Sequence, residues 1–120
     1  MTFYDKVNEV IGQPYDSENN HCWHLVEYLV PWAPHVAIEA ANLTTSVKVI
    51  GRELERSTLN EIDSNGLQDE DIVLLGRGGT FHHAGVSCNG GVVHADVVGT
   101  IWQSMADIRR AYPEIKGLRA

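Results

Sequence analysis

Only two of the 120 residues are cysteine, too few for the disulfide framework that staples small secreted domains. Long apolar runs are also missing, and none approaches the roughly 20 residues that a membrane-spanning helix requires. The first ten residues, Met1 to Val10, have neither a basic n-region nor an apolar h-region. No secretory signal is expected there, and the chain is expected to be made in the cytoplasm, where thiols stay reduced. Basic residues are scarce, with 9 Lys and Arg against 16 Asp and Glu and a formal charge of −7 at pH 7. That balance disfavours broad attraction to nucleic acid or an anionic membrane, and neither is expected as a partner. Internal repeats and low-complexity tracts are absent from the sequence. Gly76-Arg77-Gly78-Gly79 lacks a following Lys-Ser/Thr and does not open a helix, so it reads as a strand-to-strand loop and not a phosphate cradle.

What remains is a chain of ordinary composition, expected to form one domain over residues 1–120 around a modest core. Thr2 is placed to cap a helix on which Phe3, Val7, Val10 and Ile11 recur at helical spacing, and Gly12 is a natural stop. A polar segment, Gln13 to Asn20, leads to Cys22. From there Cys22, Leu25, Val26 and Leu29 share one helical face until Pro31 ends the run. Thr44 to Ile62 reads as a helix, with Val47 to Ile50 as a strand alternative. Asp71 to Leu75 reads as a buried strand. Ser104 caps a short helix that Pro113 closes, and Ile115 to Leu118 reads as a last edge strand. Helices first and a meander of strands after imply an α+β fold with a largely antiparallel sheet.

The chemistry concentrates in a thiol that opens a helix and a hairpin that carries histidines. Asn89-Gly90 between Phe81–Cys88 and Gly91–Asp96 is a strong hairpin signal, because a type I′ turn needs positive φ at both central residues. With that turn, Cys88 pairs with Gly91, Gly85 faces His94 and His83 faces Asp96. His83 and His94 become diagonal neighbours on one face, while His82 points to the other. A buried cysteine is usually inert core. Cys22, however, sits in a first helical turn, where free N–H groups and the helix dipole favour thiolate. A thiol, an imidazole to take its proton and a second imidazole to orient the first are the parts of a cysteine acyl-transfer enzyme. Cys88 lies on the strand face opposite His83, which argues against a Cys22–Cys88 bridge. His21, Cys22, His24, His82 and His83 also have zinc-ligand chemistry, but a closed site would need His24 to fold back onto the hairpin. No metal and no cofactor is expected.

These residues resemble the NlpC/P60 family of papain-like cysteine peptidases. Ile11-Gly12-Gln13-Pro14-Tyr15 is similar to the family's Gly-x-Pro-Tyr, and His21 to Val26 stands where the family has Asp-Cys-Ser-Gly-Leu-Val. Asp71 to Leu75 resembles its Gly-Asp-Leu-Val strand, His83-Ala84-Gly85-Val86 its His-Val-Gly-Ile, and Val93-His94-Ala95 its Ile-His-Ala. The resemblance implies a nucleophile-bearing helix packed on a largely antiparallel sheet. It implies Cys22 as nucleophile, His83 as general base, His94 as the orienting third residue and Tyr15 beside the oxyanion. Trp23 and His24 replace the family's small residues after the nucleophile and are expected to line the substrate cleft. The implied substrate is the peptidoglycan stem peptide, cut at the D-glutamyl–diaminopimelate bond. A second reading, from a different class, is a phage tail or baseplate component that keeps the fold with little or no hydrolysis and reaches the wall in the virion tail, with other tail proteins as partners.

Overall fold

The computed structural model describes residues 1–14, 22–35 and 59–120. Helix α1 spans Phe3–Val10 and begins where the sequence sets it. The Thr2 hydroxyl accepts from the Asp5 N–H at 3.1 Å, and the Asp5 carboxylate accepts from the Thr2 N–H at 3.0 Å. This reciprocal capping box satisfies two backbone donors that a helix start otherwise leaves unpaired. Val7 and Val10 face inward. Helix α2, Cys22–Leu29, buries Trp23, Leu25, Val26 and Leu29, and Pro31 follows the buried Val30.

The strands are β1 (Asn60–Ile62), β2 (Ile72–Arg77), β3 (Thr80–Cys88), β4 (Gly91–Asp96), β5 (Gly99–Ser104) and β6 (Glu114–Arg119), with helix α3 (Met105–Ala111) before the last. They form one sheet in the order β1-β6-β2-β3-β4-β5, and every pairing is antiparallel. Side chains alternate between its faces. Ile72, Leu74, Ala84, Val86, Cys88, Val93, Ala95 and Leu118 join α1 and α2 in one core. Val73, Leu75 and Val92 pack with Ile108 of α3 on the other face. The expected α+β class with a largely antiparallel sheet is the one observed.

Two expectations change. Ile115–Leu118 is expected at an edge, yet β6 lies inside the sheet, between β1 and β2. Residues 60–62, assigned to the end of a helix by their spacing, form β1 against Gly117–Arg119. In both cases long-range strand pairing overrides the local pattern. Gly117 faces Ile62 so closely that an added Cβ would come within 3.0 Å of the Ile62 Cβ. The rest of the Thr44–Ile62 helix, the Val47–Ile50 alternative and most of the polar loop before Cys22 lie outside the described residues.

Two irregularities in β3 prepare the site. Leu75 pairs with His83 but Gly76 pairs with Phe81, so His82 is an extra residue, a β-bulge that re-aims the strand. On its other side, the β3–β4 ladder runs only from Cys88–Gly91 to Val86–Val93. Beyond that point β3 stays paired to β2, and β4 to β5, while α2 packs against both β3 and β4.

Candidate active site

The hairpin turn is the expected one. Asn89 and Gly90 both have positive φ, 48° and 73°, and Cys88 pairs with Gly91. The register places His83 and His94 as diagonal neighbours, and His83 Nε2 lies 2.8 Å from His94 Nδ1. Their rings are nearly perpendicular, at 80° with centroids 5.0 Å apart. Gly85 makes this approach possible. A Cβ there would stand 2.6 Å from the Val93 carbonyl oxygen and 3.0 Å from the His94 Cβ. The second His94 nitrogen, Nε2, lies 2.7 Å from Gln103 Oε1 on β5.

Cys22 arrives from the other side of the sheet. The backbone N–H of Ala84, next to His83 in the chain, lies close enough to its sulfur to favour the thiolate, as do the N–H groups of Trp23 and of Cys22 itself. The helix start therefore reaches β3 where β4 has already parted from it. Tyr112, the C-cap of α3, closes the group. Its ring stacks on His83 at 20° with centroids 5.7 Å apart, and it is close enough to Cys22 for a thiolate there to disfavour the phenolate. His82 is exposed, as expected, but the bulge leaves its ring 5.7 Å from the same tyrosine.

Burial dominates the electrostatics. It lowers His83 to about 4, with His94 and His82 acting in the same direction and Asp96 opposing. The buried His94 is lowered by the same cause, partly offset by its hydrogen bond to Gln103 and by Asp96. Burial raises the Cys22 thiol despite the three N–H groups directed at it. Removing charge from water outweighs the helix-start effect. The resting pair at neutral pH is thus a thiol and a neutral imidazole, where the sequence favours a thiolate.

The expected site residues fare differently. Cys22 is partly exposed and Cys88 is buried in the α1–α2 core, and both are free thiols. Trp23 does not line a cleft. Its side chain is 0% exposed, and its ring N–H donates to Glu27 Oε1 at 3.0 Å and to the Pro34 carbonyl at 3.3 Å. The position after Cys22 turns toward the core, so its bulk fills the space under α2. His24 is half-buried on the same helix. Tyr15 and His21 lie outside the described residues. Among the described residues, no three His, Cys, Asp or Glu side chains are grouped as a metal ion would require. Sequence reasoning misses Gln103 and Tyr112. Gln103 is reachable by extending the pairing through β5, whereas no local signal marks Tyr112.

No protein-family model and no curated protein matches the chain. Among solved structures it is similar to the NlpC/p60 domain of peptidoglycan hydrolase SagA, with a TM-score of 0.63 over 97% of this chain and 95% of that one. Identity is 14%, so the likeness is one of fold, and it agrees with the NlpC/P60 architecture expected from the motifs.

Proposed function

We propose that this chain is a cysteine peptidase that hydrolyses amide bonds of the peptidoglycan stem peptide, of the D-glutamyl–diaminopimelate type. The observation that carries the reading is that the Cys22 sulfur lies beside the Ala84 N–H, next in the chain to His83, which is bonded to His94 at 2.8 Å. The similar fold of a peptidoglycan hydrolase domain supports the substrate class.

Because thiol and imidazole rest neutral, the proton moves as the bond forms. Cys22 attacks the carbonyl carbon while its S–H proton passes to His83, giving a tetrahedral oxyanion and an imidazolium. N–H groups at the start of α2 are positioned to stabilise developing negative charge. Collapse breaks the C–N bond, and His83 delivers the proton to the leaving amine. His83 then takes a proton from water as hydroxide adds to the thioester; the C–S bond breaks, the acid departs and the His83 imidazolium returns its proton to the sulfur. His94 holds the His83 ring throughout.

The test is digestion of purified peptidoglycan, with muropeptides identified by mass spectrometry for the wild type, Cys22→Ala and His83→Ala. Both variants should be inactive with an intact fold, while His94→Ala should keep more activity, since an orienting group contributes less than nucleophile or base. A chelator should have no effect. Undigested wall with a folded wild type would favour the phage tail or baseplate component instead.

A further inference from the structure

The histidine pair has a direction, and a residue outside the three expected ones sets it. A neutral imidazole carries one N–H and one bare nitrogen, so a row of hydrogen-bonded imidazoles is polarised from its end. Here the end is Gln103. Its Oε1 is only an acceptor and lies 2.7 Å from His94 Nε2, so that nitrogen carries the hydrogen. His94 Nδ1 is then bare and accepts, 2.8 Å away, from His83 Nε2–H. The hydrogen of His83 is thereby committed to Nε2, and Nδ1 is left as the bare nitrogen for the thiol proton.

Turned the other way, the Gln103 amide would donate to His94 Nε2. His94 Nδ1–H would donate to His83 Nε2, and His83 would present Nδ1–H to Cys22. A ring in that state cannot take a proton from the thiol at that nitrogen. We infer that Gln103 is a positioning residue whose carbonyl oxygen selects the base-competent tautomer of His83 through His94. The inference rests on His83 serving as the base, but the tautomers can be read without turnover.

The register explains why the amide can do this. Gln103 pairs with Val92 and stands diagonal to His94 on the same sheet face, one strand further from Cys22. Several other groups bear on the pair. They are the His82 bulge on β3, Asp96 at the end of β4 and Tyr112 stacked on His83 after α3, with Cys22 of α2 and Arg77 of β2 acting on that tyrosine. Asp96 acts on both rings by charge, favouring the protonated form of each. Gln103 is the group hydrogen-bonded to the nitrogen of His94 that His83 does not use.

The experiment is two-bond ¹⁵N–¹H correlation NMR of the full chain at neutral pH, which assigns the protonated nitrogen of each histidine. Wild-type protein should show both His83 and His94 as Nε2–H tautomers; finding both as Nδ1–H overturns the inference. Gln103→Leu, similar in size and without an acceptor, should give mixed tautomers, and kcat on peptidoglycan should fall roughly 10- to 100-fold with KM little changed. Gln103→Glu keeps the acceptor, so it should retain the wild-type tautomers and most of kcat. Wild-type tautomers and kcat in folded Gln103→Leu, or their loss in folded Gln103→Glu, would equally refute it. If wild-type protein digests no peptidoglycan but shows the expected tautomers, the hydrolase reading fails and the polarity of the pair stands.

Discussion

Acid should destabilise this fold through His83 in a predictable amount. In the folded chain burial holds this imidazole at about 4, against 6.5 for an ordinary histidine. Between those values the unfolded chain binds a proton that the folded chain refuses. Stability is therefore whole above pH 6.5 and falls as pH drops toward 4. One pH unit of difference corresponds to about 1.4 kcal/mol, so the loss reaches about 2 kcal/mol at pH 5 and about 3 kcal/mol near pH 4. A domain of this size typically has only about 5–15 kcal/mol in hand. The measurement is urea unfolding of the wild type and of His83→Gln at intervals from pH 7.5 to 4.5. Glutamine cannot titrate, so the wild type should lose ground to the variant steadily on the acid side. His94, also lowered by burial, acts in the same direction in both proteins. Parallel curves for the two proteins would show that His83 does not lose its charge on folding, and the neutral resting pair would fall with it.

Gly85→Ala should cost about 1–3 kcal/mol by overpacking, because its Cβ meets a backbone oxygen that cannot step aside. Thermal unfolding measures that cost, and hydrolysis should fall as well, since relief requires moving His94 away from His83; unchanged values for both would contradict the packing. Trp23→Ser should cost about 3–5 kcal/mol rather than widen substrate range, because the side chain is wholly buried; a stable variant with new muropeptide products would restore it to the cleft. Iodoacetamide should label Cys22 before Cys88, slowly at pH 7 and faster as pH rises toward the raised thiol. Peptide mass spectrometry reads the order, and Cys88 reacting first would remove Cys22 as nucleophile. The acid limb of kcat/KM should lie near 4 and not near 6.5, because the neutral imidazole persists to about 4; a limb near 6.5 would point to a solvated base.

Features governed by neighbours a few residues apart are legible in the amino-acid sequence. The Thr2–Asp5 capping box, the Ser104 cap with Pro113 closing α3, and the apolar face of α2 follow from helical spacing and side-chain hydrogen bonding. Asn89-Gly90 sets the hairpin turn, and a period of two then carries His83 and His94 to one face. The histidine pair is thus written into one short segment. Features that join elements far apart in the chain are not legible in this way. Which strand lies beside β6, the early end of the β3–β4 ladder that admits Cys22, and the arrival of Tyr112 over His83 are all products of packing. Burial is the clearest case. Whether Trp23 faces a cleft or the core, and whether Cys22 rests as thiol or thiolate, depends on how completely water is excluded around them. That is decided only when both layers of helix close on the sheet.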